Sequence, residues 1–221
     1  MAAVKMIYYM DVLSSWCTFV EGPLAKVRTR FGADLEFEWR IAALRDGKPL
    51  GYSPEVLGWY YKRSQTLSGT LLNVAWIESE NDATWWPNVA AEAARSLGHA
   101  NDTVRLALAK AGMVDGQHVQ HRDVAEHVAA TASGLDPSAL RSAMDDPEVT
   151  NRIHATTAEF RALPCNVVPT FVISNAIGDV NLLSGTFRYG PLAACVEQML
   201  ADATSYAAFG KAHPPPAAIK E

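Results

Sequence analysis

The sequence predicts an α/β fold: a β–α–β unit, a long helical stretch, then a β-hairpin and a closing helix. Three observations carry that prediction. Residues 6–10 form an almost wholly apolar run that stops at Asp11, the mark of a strand covered on both faces. From Ser53 to about Leu163 the pattern is helical, with no convincing strand. From Val167 the period returns to that of strands, and an amphipathic helix closes the chain.

The elements follow in order. After the first strand, Ser14 or Ser15 can cap a helix, because a serine hydroxyl accepts from an orphan backbone N–H of the first turn. Gly22-Pro23 falls inside that helix and predicts a kink or the start of a second segment. Gly32 suits the helix end. Residues 35–41 alternate apolar and polar, so strand, helix and strand within forty residues read as a right-handed β–α–β crossover.

In the helical stretch, Ser53, Asp136 and Asp146 each stand before a proline and supply capping side chains, with Glu55 and Glu148 in the first turns. Trp86-Pro87 opens another helix that closes at Gly98, and Asn101-Asp102 opens one ending near Gly112. About six helices result. Residues 167–173 and 180–183, separated by turn residues, predict the hairpin. The last helix, from Tyr189 to about Phe209, places Leu192, Val196, Met199 and Leu200 on one face, and an extended tail is expected from His213 through Pro216.

Composition narrows the function. Hydrophobic residues make up 49% of the 221 and charged residues 19%, an ordinary soluble globular balance. A net charge of −5 gives no basic footprint, so nucleic acid is not an expected partner. No apolar stretch is long enough to span a membrane, and no signal peptide precedes the first strand. Three cysteines do not make a disulfide framework, which fits a reducing cytoplasm.

The segment Asp11-Val12-Leu13-Ser14-Ser15-Trp16-Cys17 resembles the D-x-x-C-P-W-C site of DsbA-like thioredoxin-fold proteins. It equally resembles the D-V-x-S-P-Y-S segment of kappa-class glutathione transferases and 2-hydroxychromene-2-carboxylate isomerases. Val168-Pro169-Thr170-Phe171 matches the V-P-T-F of the same group, where the proline is cis and faces the active-site helix. The resemblance spans nearly the whole chain. It implies a thioredoxin fold (βαβ…ββα), residues 1–50 and 164–221, with an all-helical domain, residues 51–163, inserted between the second and third strands. Dimers are frequent in the group, so a homodimer is a further expectation that the resemblance carries.

Ser14 stands where the oxidoreductases place their attacking cysteine and the transferases and isomerases their serine. The resemblance implies that its hydroxyl donates to a bound glutathione thiolate, helped by the positive end of the helix. Cys17 stands at the second cysteine. With Ser14 three residues before it no local dithiol forms, and Cys17 also reads as a small buried hydrophobe. Trp16, Val168, Pro169, Gly185, Thr186 and Arg188 are the expected cofactor contacts. Phe187 departs from the pattern: the related sequences carry an aspartate there, and without it an ammonium group lacks its charge partner. That leaves open a thiol other than glutathione.

The aromatic residues Trp59, Tyr60, Tyr61, Trp76, Trp85 and Trp86 read as core, or as a roof over a cleft for a planar substrate. Lys62-Arg63 reads as a solvated face whose cations could meet an anion. Cys165 and Cys195 read as packing residues, and His118, His121 and His127 lack a ligand spacing, so no metal is expected. The resulting expectation is a thiol-dependent isomerase or transferase acting on an aromatic or unsaturated small molecule. The alternatives are a disulfide oxidoreductase using Cys17, alone or with Cys165, and a binding protein of the same fold.

Overall fold

An apolar first strand needs cover on both faces, and the computed structural model, which describes residues 3–78 and 83–214, supplies it. Strand β1 (Val4–Met10) leads into helix α1 (Ser15–Phe31) and strand β2 (Leu35–Ile41), which pairs parallel to β1 with Val4 opposite Leu35. Strands β3 (Thr170–Asn175) and β4 (Val180–Ser184) form the hairpin, and β3 lies antiparallel to β1. The sheet order is β2-β1-β3-β4, so β1 is internal. Side chains alternate across a strand. Tyr8 therefore stacks on Phe171 and donates to Glu21 of α1, while Tyr9, on the other face, meets Phe160.

Helix α1 continues unbroken through Pro23, so no second segment starts there. Proline removes one intrahelical hydrogen bond, but Val20, Leu24 and Val27 bury around it and hold the axis against the sheet. Six helices fill the insertion among the described residues: α2 (Pro54–Ser68), α3 (Trp85–Ser96), α4 (Thr103–Met113), α5 (Arg122–Ser133), α6 (Pro137–Met144) and α7 (Pro147–Ala162). Ser53, Asp136 and Asp146 cap α2, α6 and α7 through their side chains, as the proline spacing predicts. Helix α8 (Tyr189–Ala212) closes the fold, burying Leu192, Val196 and Met199. Of the expected tail, Pro215 and Pro216 lie outside the described residues.

Polar ties lock the insertion to α1. Arg105 of α4, only 1% exposed, holds both oxygens of Glu21 on α1 at 2.6 and 2.9 Å and reaches Asp102 at 2.7 Å. Arg28 of α1 pairs with the same Asp102. A buried arginine needs this many partners, since each unmatched charge in the interior is strongly destabilising. No helix among the described residues is long and apolar enough to cross a membrane.

Candidate functional site

Where β1 ends, the chain must turn into α1 beneath the insertion, and Asp11 organises the turn. Its carboxylate is fully buried. One oxygen accepts from the Leu13 N–H at 2.9 Å; the other accepts from the Leu44 N–H, Thr84 Oγ1 and Asn88 Nδ2 at 3.0, 2.8 and 2.8 Å. Asn88 returns an acceptor to the Val12 N–H at 3.0 Å. Burial outweighs these four donors and holds the carboxyl above the usual carboxylate range. The loop before α1, the segment after β2 and the start of α3 are thus tied to one side chain.

Ser14 follows as the cap of α1. Its Oγ accepts from the Cys17 N–H at 3.4 Å, and its carbonyl accepts from the Thr18 N–H at 3.0 Å. The hydroxyl keeps its own proton to donate, at the positive end of a 17-residue helix. Across from it the Val168–Pro169 peptide bond is cis. The Gly185 N–H donates to the Pro169 carbonyl at 2.8 Å, and Thr170 Oγ1 donates to the Val167 carbonyl at 2.7 Å, which fixes this segment against the hairpin.

Ser14 and Val168 line one cleft of about 370 Å³. Trp16 forms one wall, and Leu44 and Leu50 lie on the side of β2. Opposite, Tyr52, Tyr60 and Tyr61 present an aromatic surface, and Arg45, Arg63 and Asn166 supply the polar groups of the lining. An apolar and aromatic cleft with a few convergent polar groups is the usual form of a small-molecule site. Of the aromatic residues singled out in the sequence, Tyr60 and Tyr61 line this cleft, whereas Trp76 is wholly buried core.

Cys17 is not part of that cleft. It points into the core with 2% exposure, and burial pushes its thiol up to about 12, outweighing the lowering influence of its polar neighbours. Burial of this kind suits the packing reading of Cys17 and disfavours its thiolate. Gly185, Thr186 and Arg188 are likewise absent from the Ser14 cleft. Gly185 sits against the cis-proline turn with φ of 69°, where its lack of a side chain permits the conformation. Arg188 and Phe187 line a second cleft, of about 420 Å³, bounded by Thr18, Phe19 and Leu67. The two clefts share a wall, since Trp16 packs on Phe19 and Phe187 with ring centroids 5.5 and 5.1 Å apart.

All three cysteines are free, and Cys165 is half-buried with its sulfur 3.7 Å from Thr170 Oγ1. Among the described residues no three His, Cys, Asp or Glu side chains are grouped to hold a metal ion. His118 and His121 share the Glu78 carboxylate at 3.1 and 2.9 Å. Motif and periodicity give no hint of Arg45, which lies in a short turn where it and Asp46 have φ of 47° and 59°. Asp11 carries a usable signal: an acid set directly behind a buried apolar strand must find donors.

A family model described as the DSBA-like thioredoxin domain matches residues 5–197, and the chain belongs to that family. A search of curated proteins finds no significant match. Among solved structures, the chain is similar to a Nitrosomonas europaea protein provisionally assigned as a protein disulfide isomerase. That match has a TM-score of 0.73 and 16% identity, covering 92% of this chain and 98% of that one. The cytosolic disulfide reductase DsbM of Pseudomonas aeruginosa matches with a TM-score of 0.67 and 16% identity, over 93% of this chain and 99% of the other, and DsbM has also been solved with GSH. A 2-hydroxychromene-2-carboxylate isomerase matches with a TM-score of 0.58 and 17% identity, over 96% and 100%.

Proposed function

We propose that this chain is a thiol-dependent isomerase or transferase in which Ser14 activates a low-molecular-weight thiol, glutathione being the first candidate. The observation that carries this reading is the pairing of a capping serine in an aromatic-walled cleft with a buried, protonated Cys17. Disulfide exchange by a local dithiol needs two accessible sulfurs three residues apart, and here one position is a hydroxyl and the other is core. A hydroxyl in that place is suited instead to donating a hydrogen bond to the sulfur of a bound thiol. With the α1 N-terminus, this favours the thiolate and raises its fraction at neutral pH.

The thiolate would then attack an unsaturated carbon of a flat substrate held against Tyr52, Tyr60 and Tyr61, with Arg45 and Arg63 placed to meet an anionic group. With a carbonyl conjugated to that carbon, the sulfur adds, the π electron pair moves to the carbonyl oxygen, and rotation followed by expulsion of the thiolate gives an isomer; protonation of the enolate by water with the sulfur retained gives a conjugate. Free cysteines suit a reducing compartment, in which such a thiol stays reduced.

Titration with glutathione, followed by calorimetry and by the ultraviolet absorbance of thiolate, tests the reading. The native chain should bind glutathione and show thiolate at neutral pH. Ser14→Ala should keep most of the binding and lose the thiolate signal, with a stability loss of about 1 kcal/mol for the missing cap. No binding at millimolar glutathione would overturn the glutathione assignment. Insulin reduction faster than a dithiothreitol control would instead promote disulfide exchange.

A further inference from the structure

The two clefts on either side of Trp16 carry charge of one sign only. Arg45 and Arg63 line the first, Arg188 lines the second, and no aspartate or glutamate lines either. All three arginines are exposed, and none is paired with a carboxylate among the described residues. The nearby acids are held elsewhere: Glu21 by Arg105, Asp46 by Arg161, and Asp11 by its four donors below the floor. Helix α2 borders both clefts, through Tyr60 and Arg63 on one and Leu67 and Ser68 on the other, so one elongated ligand can run along it past Trp16.

From this distribution we infer that the two clefts are one bipartite site that prefers, over glutathione itself, an anionic thiol whose amine is blocked, its tail lying beside Phe187 and Arg188. The inference rests on the thiol-dependent reading above and specifies the thiol. A carboxylate or phosphate on the tail meets guanidinium groups, which bind such anions in bidentate fashion. An ammonium meets the same cations and the face of no acid, so it is repelled and gains no hydrogen-bond acceptor of opposite charge. Phe19 and Phe187 offer an acyl or aromatic group apolar contact, and the Arg188 guanidinium already lies over the Phe187 ring, 5.5 Å from its centroid, where an ammonium would otherwise be drawn.

S-methylglutathione and its N-acetyl derivative test the inference, since neither has a free thiol and acetylation turns the ammonium into a neutral amide. Calorimetry should show the acetylated form binding at least about tenfold more tightly, a difference of about 1.4 kcal/mol. The protein's net charge of −5 would by itself disfavour the more anionic ligand, so that preference reports the local arginines. The acetylated form should also lose affinity more steeply with added salt. Arg188→Gln should weaken it about tenfold and Arg188→Lys much less. Tighter binding of the free-amine form, or an unchanged affinity in Arg188→Gln, overturns the inference and leaves the Ser14 reading standing. Binding of neither form overturns both.

Discussion

Beneath the floor of the cleft, Asp11 is buried and both its oxygens are occupied, by donors from three separate segments. At the rim, Arg45 and Arg63 stand exposed; the first hydrogen-bonds the Leu50 carbonyl at 2.8 Å and the second lies over the rings of Trp59 and Tyr60. The floor is over-determined and the rim is lightly held. A site that must fix one hydroxyl while accepting ligands of varied outline benefits from this division, because preorganisation matters where chemistry occurs and adaptability where the ligand is gathered. Each part therefore predicts a different response to substitution.

The floor should respond most. Asp11→Ala strands the Leu13 and Leu44 N–H groups, the Thr84 hydroxyl and the Asn88 amide in a buried place. Unsatisfied buried donors are destabilising by roughly 1–3 kcal/mol each, and partial hydration of the new cavity should bring the total to about 3–5 kcal/mol. Urea unfolding measures it, with Arg63→Ala on the rim expected within about 0.5 kcal/mol of the natural protein. A loss under about 1 kcal/mol for Asp11→Ala would show that the floor is not organised around this carboxylate.

Cys17 gives a smaller effect that appears only in alkali. Its thiol is pushed up to about 12 in the folded chain, while an unfolded cysteine ionises near about 8.5. Between those values the folded state keeps a proton that the unfolded state has released, so stability falls as pH rises through the window and is intact below it. By pH 10 the loss should reach about 2 kcal/mol. Cys17→Ala should lack that decline, although Tyr8, also pushed well up by burial, leaves a common slope in both proteins. Parallel stability curves from pH 8 to pH 10 would place Cys17 in contact with water and return it to consideration as a redox residue.

The same division explains what can be read from sequence. Strand and helix periods, the Ser53, Asp136 and Asp146 caps and the Ser14 cap are local signals that appear where the sequence predicts them, except that β3 starts at Thr170, after the cis-proline, and not at Val167. The persistence of α1 through Pro23 is a tertiary matter, decided by burial of Val20, Leu24 and Val27 on the sheet. Ser14, Trp16 and Val168 meet as the motifs suggest. Arg188 does not join them, because Trp16 and Phe187 pack together and divide the space. That partition depends on how two distant segments meet, which no spacing encodes. Arg45 is invisible for a related reason: its place in the cleft comes from a left-handed turn that runs into Gly47, whose backbone lies so close to the distant Trp85 that a side chain there would collide with the ring.

That turn yields the smallest and most discriminating prediction. Arg45 has φ of 47° and ψ of 32°, a conformation that a residue with a side chain adopts at roughly 1–2 kcal/mol above the right-handed one. Arg45→Ala removes the guanidinium and its bond to Leu50 but keeps that backbone penalty. Arg45→Gly removes the same groups and relieves the penalty, set against the greater freedom of glycine in the unfolded chain, worth roughly 0.5–1 kcal/mol. The glycine variant should therefore be the more stable of the two by about 0.5–1 kcal/mol in urea unfolding. Anionic ligands should weaken equally in both, since each has lost the same charge. This separates what the turn does from what the side chain does. An alanine variant as stable as the glycine one would mean that the loop relaxes out of the left-handed region without loss, and that the rim positions Arg45 by some means other than its backbone.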